Sequence, residues 1–347
     1  MISLGIAGLV GLLMTLLTTP LAIKRFRRRG WGQMIREEGP KAHYEKQGTP
    51  TMGGLVILAG TVLGYLLGHI GRQGIVPFRD TGVLAICTIA AFGLLGFVDD
   101  FIKIRKARNL GLRSRTKFIG QLVIALTFGV VAVRVVGIGT DLSFFRSTAI
   151  ELGVLFFVWV FVMIAASSNG VNLTDGLDGL AVGSSAQVFG AFVVIAFWQF
   201  RHPGFYDLGE TGSDPFEIAI VASALFGACA GFLWWNTAPA KIFMGDTGSL
   251  MLGGAMAVFA VLLNTQLLLV LLGGLYVVET LSVILQVAVF KKTGKRIFLM
   301  APIHHHFELA GWPEFSVIVR FWVLSGLSTA FGLGLFYADY IGKGGVP

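Results

Sequence analysis

The chain has 347 residues, 55% of them hydrophobic and only 13% charged, with a formal net charge of +8. That length would allow two soluble domains, but the apolar stretches are too long and too many for soluble cores. One integral membrane domain over residues 1–347 is expected, with no nucleic-acid partner.

Ten apolar runs follow in chain order: Ile2–Ile23, Gly53–Ile70, Gly82–Val98, Phe118–Val136, Ile150–Ser168, Leu180–Phe200, Phe216–Trp235, Leu250–Leu263, Gln266–Phe290 and Val317–Ile341. Most reach the ~20 residues that a bilayer crossing needs. The expected fold is therefore all-α, a polytopic membrane protein of about ten transmembrane helices. The first run has no basic stretch before it and no clear cleavage site after it, so it reads as a retained span. Leu250–Leu263 is short and Gln266–Phe290 long, which leaves the boundary between them the least defined. Cys87 and Cys229 both lie inside apolar runs and read as small core residues. The 47 glycines suit close helix packing in lipid.

Lysine and arginine set the topology. The loop after the first run carries eight (Lys24, Arg25, Arg27, Arg28, Arg29, Arg36, Lys41 and Lys46). The loop after the third carries seven (Lys103, Arg105, Lys106, Arg108, Arg113, Arg115 and Lys117). The even loops and the C-terminal tail together hold six: Arg72, Arg79, Arg134, Arg146, Arg201 and Lys343. Odd loops are expected in the cytoplasm and both termini outside. A basic face also suits contact with anionic membrane lipids.

The polar motifs gather in or beside odd loops. Lys46-Gln-Gly-Thr-Pro-Thr-Met-Gly-Gly54 matches no phosphate-binding P-loop. It brings a lysine, two hydroxyls and exposed backbone to the rim, and a plain glycine-rich helix start explains it equally well. Asp99-Asp100 ends a fully apolar run just before a strongly basic loop. Adjacent helical residues point ~100° apart, so the pair cannot grip one ion symmetrically. In Asn172-Leu-Thr-Asp175-Gly-Leu-Asp178-Gly179 the polar residues step by three, which puts them on one face of a helical turn. Oxygen donors alone favour Mg²⁺ or Ca²⁺ over zinc, and the EF-hand loop is not present. Asn236 and Asp246 flank Ala240-Lys-Ile-Phe-Met-Gly-Asp-Thr-Gly248. Asp246 reads as a metal ligand, with helix capping as the plainer alternative. Glu279, deep in the ninth run, is left without a role. His304-His305-His306 cannot all face one ion, so phosphate binding or proton transfer suits them better than zinc.

Together these motifs resemble the phospho-N-acetylmuramoyl-pentapeptide transferases of bacterial peptidoglycan synthesis, from about Lys46 to Glu314. The most specific pieces are Lys46–Gly54, Asn172–Gly179, and Ala301-Pro-Ile-His-His-His-Phe-Glu308 with Gly311-Trp-Pro-Glu314. The Asp-Asp pair is shared by the wider superfamily of polyprenyl-phosphate sugar-1-phosphate transferases, and the triple histidine favours the muramoyl branch. The resemblance implies Mg²⁺ dependence and a reaction between undecaprenyl phosphate and UDP-N-acetylmuramoyl-pentapeptide that yields lipid I and UMP. It implies a multi-pass protein of the bacterial plasma membrane with its active site on the cytoplasmic face. It makes Asp246 the Mg²⁺ ligand and places Asp99 and Asp100 at the reacting phosphates. Asn172, Asp175, Asp178 and Asn236 would shape the nucleotide-sugar pocket. His304 would sit near the diphosphate, with His305 and His306 beside the substrate, and Lys46 and Lys117 at the rim. Two other readings stand beside this one: a transferase for UDP-N-acetylglucosamine, and a transporter, for which only Glu279 lies deep enough. The oligomeric state, a homodimer included, stays open.

Overall fold

The computed structural model describes residues 1–32, 46–71, 74–106, 110–206 and 212–344. Arg36, Lys41, Arg72 and Arg108, counted above as loop charges, lie outside the described residues.

In lipid every backbone N–H and C=O must find a partner within its own segment, so the apolar runs fold as helices. They are α1 (Ile2–Arg28), α2 (Gly54–Gly68), α3 (Asp80–Arg105), α4 (Ser114–Val131, continued by a π-helical turn at Ala132–Val136), α5 (Leu155–Thr174) and α6 (Leu180–Arg201). After these come α7 (Pro203–Tyr206), α8 (Pro215–Asn236), α9 (Gly245–Leu262), α10 (Leu269–Leu272), α11 (Gly274–Thr293), α12 (Ile303–Leu309) and α13 (Glu314–Gly342). Among the described residues nine helices are long and apolar enough to cross a membrane. The chain is thus an all-α, multi-pass membrane protein. The second run makes only the 15 residues of α2, about 23 Å at a rise of 1.5 Å per residue. Its start is fixed from inside the protein: Gly53 and Gly54 donate their N–H groups to the carbonyls of Phe243 and Met244, each at 2.9 Å.

Two antiparallel hairpins join the helices, β1 (Ile70–Gly71) with β2 (Gly74–Ile75) and β3 (Asp141–Ser143) with β4 (Ser147–Glu151). Their strands are too short for an alternating pattern to stand out in the sequence.

α8 and α9 form the centre. α9 is apolar all round and is buried without interruption from Thr247 to Leu262, as a helix without a polar face should be. α3, α5, α2 and α6 pack against it, while α1, α2, α6 and α3 surround α8. Phe259 of α9 takes Phe189 and Phe192 of α6 edge-on, at centroid distances of 5.9 and 5.6 Å.

Two breaks in the helical pattern have visible compensation. Pro20 removes an N–H from α1, and the indole N–H of Trp235 donates to the Leu16 carbonyl at 2.9 Å instead. The long ninth run is interrupted at Gly273-Gly274. There the hydroxyls of Ser328 and Thr329 on α13 donate to the carbonyls of Leu271 and Leu272, at 2.6 and 2.9 Å. Hydroxyls from a neighbouring helix thus satisfy carbonyls at the break.

Candidate active site

The site is built where the end of α3 meets the start of α9. Gly96 lies one turn before Asp99-Asp100, and a Cβ at Gly96 would collide with the Asp246 carbonyl, so the two backbones touch only because it is glycine. Asp100 is 3% exposed. Its Oδ1 accepts the Asp246 N–H at 3.1 Å, and its Oδ2 accepts the N–H and hydroxyl of Thr247 at 2.9 and 2.7 Å. Asp100 therefore caps α9 from another helix, where a negative charge also meets the positive end of the helix dipole. Asp246 lies in the first turn of α9, four residues before the expected start of that run.

Asp99, Asp100 and Asp246 each offer one oxygen, and the three oxygens lie within 4.8 Å of one another. Two lysines partly offset their charge. The Lys103 ammonium reaches Asp99 at 2.6 Å, Asp246 at 3.0 Å and Asp100 at 3.6 Å, and Lys117 reaches Asp246 at 2.6 Å. Asp99 also accepts the Leu112 N–H at 2.9 Å, which ties the start of α4 to the site. Asn172, on the last turn of α5, donates to Asp246 Oδ1 and Ser249 Oγ, both at 2.8 Å. These three carboxylates could hold a metal ion, and an all-oxygen donor set fits a hard cation.

A second polar cluster lies on the segment after residue 45. Lys46 pairs with Asp178 at 2.8 Å and with Glu314 at 2.5 Å. Burial pulls the Lys46 ammonium down, but Asp178 and Glu314 outweigh it and leave its pKa raised. Asp178 also accepts the Ala240 N–H at 2.9 Å. Phe243 donates its N–H to the Pro50 carbonyl at 2.7 Å, so the Lys46–Gly54 segment runs alongside the segment that leads to Asp246. Asn236 ends α8 and donates to the Ile242 carbonyl at 2.9 Å, which braces that same loop.

The Asn172–Gly179 motif is not one helical turn. α5 ends at Thr174, Asp175 caps it, and Gly179 turns the chain with φ +79°. Asn172 consequently faces Asp246 while Asp178 faces Lys46. Burial, then the charges of Asp246, Asp100 and Asp178, push the Asp175 carboxyl well above its ordinary range.

The three histidines face different partners. His304 is fully buried, with Nδ1 3.0 Å from Glu279 Oε2 on α11, which is equally buried. His305 Nδ1 lies 2.6 Å from Glu308, and His306 Nδ1 accepts the Leu299 N–H at 3.1 Å. A Cβ on Gly176 would strike the rings of His304 and His305, so this glycine lets α12 sit against the Asp175–Asp178 turn.

Four contributors escaped the sequence reading: Lys103, Thr247, Ser249 and the Glu279–His304 pairing. Lys103 had a readable signal, since it stands four residues after Asp99 and three after Asp100 on one helix. The others depend on contacts between distant segments.

The family model for glycosyl transferase family 4 matches residues 83–264, and phospho-N-acetylmuramoyl-pentapeptide-transferase signature 1 matches residues 46–58. Curated relatives named phospho-N-acetylmuramoyl-pentapeptide-transferase align along almost the whole chain. The one from Frankia casuarinae is 55% identical over 98% of this chain and 98% of its own. That from Streptomyces griseus is 50% identical over 97% and 98%, and that from Beutenbergia cavernae 48% identical over 98% and 99%. The chain belongs to the phospho-N-acetylmuramoyl-pentapeptide-transferase family.

Proposed function

We propose that the chain transfers phospho-N-acetylmuramoyl-pentapeptide from its UDP-linked donor to undecaprenyl phosphate, giving lipid I and UMP. The observation that carries this reading is the cluster of Asp99, Asp100 and Asp246, bracketed by Lys103 and Lys117. It joins hard-cation ligands to ammonium groups suited to phosphate, as phosphoryl transfer requires. Basic odd loops favour the cytoplasmic face of the bacterial plasma membrane for this site, and a single domain accounts for all ten apolar runs.

A phosphate oxygen of the lipid acceptor attacks the sugar-bearing phosphorus of the donor. The bond from that phosphorus to the bridging oxygen breaks, and the bridging oxygen leaves with UMP. The second pKa of a phosphate monoester lies near ~6, so the acceptor is largely dianionic at neutral pH and attacks without an aspartate base. Asp246, with oxygens of Asp99 and Asp100, would hold Mg²⁺, which supplies neutralisation of the diphosphate charge. Asp100 fixes the start of α9, and Asn172 and Lys117 orient the Asp246 carboxylate. Lys46, Asp178, Asp175 and Asn236 shape the nucleotide side, and His304, buried against Glu279, lies near the diphosphate with His305 and His306 next to it.

The test is UMP release by the purified protein with undecaprenyl phosphate, Mg²⁺ and UDP-N-acetylmuramoyl-pentapeptide, with Asp246→Asn as control. UMP that needs both substrates and metal, and is lost in the variant, is the expected result. Release only from UDP-N-acetylglucosamine would move the chain to the sister specificity. A labelled phospho-sugar trapped on the protein without acceptor would defeat direct attack in favour of a covalent intermediate.

A further inference from the structure

The basic end of α1 carries a feature that the transfer reaction does not use. Lys24, Arg25, Arg28 and Arg29, with Leu21 at the base, line a half-open cavity of about 330 Å³. Among the described residues no carboxylate pairs with any of these four cations. The opposite side of the same turns is anchored, because Ile23 and Phe26 are buried and Phe26 packs on Trp31 at 5.2 Å. Trp31 in turn meets Phe101 edge-on at 6.5 Å, next to Asp100 on α3, which puts the cavity on the same face as the carboxylate cluster.

Below the cavity, Leu9, Leu13, Leu17 and Leu21 recur every four residues and are 57%, 42%, 66% and 67% exposed. They form an apolar strip along α1 that leads straight to the cations. Topology and the helix dipole account for basic residues at this helix end. They do not account for convergence of four basic side chains, none of them paired with a carboxylate among the described residues, on one cavity at the head of an apolar strip.

We propose that this cavity binds the phosphodiester headgroup of an anionic glycerophospholipid, with one acyl chain along the Leu9–Leu21 strip. The occupant follows from charge and shape: four positive groups call for an anion, and the strip calls for a hydrocarbon tail attached to it. A phosphatidylcholine headgroup carries its own cation, which the four basic residues repel. The headgroup position lies apart from Asp246 and its partners, so this lipid is not consumed.

The test uses full-length protein stripped of lipid in neutral detergent. It is incubated with micelles of equal phosphatidylglycerol and phosphatidylcholine, repurified, and its bound lipid weighed by mass spectrometry. Wild type is expected to retain phosphatidylglycerol over phosphatidylcholine. Arg25→Gln/Arg28→Gln should weaken retention by about 30-fold, equivalent to about 1 kcal/mol per basic residue near an anionic surface. Arg105→Gln/Lys106→Gln removes the same charge from the same face outside the cavity and should retain lipid like wild type. If the double variant at the cavity is not monodisperse, Arg28→Gln alone replaces it, with about a fivefold loss expected from the same scale. Equal retention by wild type and the cavity variant, or equal loss in the control pair, overturns the proposal. So does displacement of phosphatidylglycerol by undecaprenyl phosphate, which would make the cavity an acceptor site. Displacement by inorganic phosphate or by the UDP-sugar overturns it as well, since the cavity would then take soluble anions.

Discussion

Thr247→Val isolates what Asp100 does. The structure gives Asp100 three donors from the start of α9, and the Thr247 hydroxyl at 2.7 Å is the shortest. Valine has nearly the shape of threonine and keeps the backbone N–H, so only the hydroxyl bond is lost. Thr247 is fully buried. A hydrogen bond to a charged group contributes about 1.5–3 kcal/mol. With an unfolding entropy of about 2.1 cal/mol/K per residue, a loss of about 2 kcal/mol in a chain this long lowers Tm by about 3 °C. Because the same bond fixes the turn that carries Asp246, the Mg²⁺ concentration for half-maximal UMP release should rise several-fold in parallel. Thr247→Ser keeps the hydroxyl and should recover most of the metal response. Thermal unfolding in detergent and a Mg²⁺ titration of the rate measure both effects. If Thr247→Val matched wild type in both, the Thr247 hydroxyl would not be what holds Asp100 against α9, and the reasoning from that bond to the metal site would fail.

Glu279→Gln should lower kcat by about tenfold with little change in donor KM, the scale of one polar contact of about 1.4 kcal/mol to the His304 imidazole; Glu279→Asp should recover part of it, and an unchanged kcat would leave Glu279 a purely structural residue. Asp175→Asn tests the raised carboxyl. A carboxyl whose pKa is raised on folding leaves stability intact below its ordinary pKa and erodes it as pH climbs toward the folded value. The asparagine variant should therefore unfold at a higher temperature than wild type at pH 8, with the gap closing at pH 5. A gap that widened on acidification would contradict that sign.

The helices were legible because lipid leaves the backbone few choices, and long apolar runs announce themselves without tertiary information. What the runs hid was where a helix starts when its first turn is polar. Gly245-Asp-Thr-Gly248 reads as a loop, yet it is helical because Asp100, 145 residues earlier, supplies the cap. The break at Gly273-Gly274 was visible only as a run of awkward length, since the hydroxyls that make it tolerable belong to α13. Site residue types were readable as unbalanced polar groups at the ends of apolar runs. Their partners were not: Asn172 was expected to share a face with Asp178, but the chain turns at Asp175 and sends them to Asp246 and Lys46 respectively. Glu279 could be marked as anomalous at its depth, while its reason, His304 at 3.0 Å, lies beyond the reach of any local pattern.

The charges at the site make a final case about Lys103. Three carboxylates facing two ammoniums leave one net negative charge, which by itself repels both anionic substrates. A divalent cation turns that into one net positive charge, so electrostatics alone would make the site receptive only with metal bound. Lys103→Met removes one ammonium and makes the two halves of the reaction respond in opposite directions. The cluster becomes more negative, so metal binds more tightly. The loaded site becomes neutral, so donor and acceptor bind more weakly. Unit charges 4 Å apart interact by about 4 kcal/mol at an effective dielectric of 20. With relaxation and partial exposure taking half of that, each change is about 30-fold. The half-maximal Mg²⁺ concentration should fall while the KM for UDP-N-acetylmuramoyl-pentapeptide rises. If both rose together, Lys103 would be holding the cluster in shape rather than setting its charge.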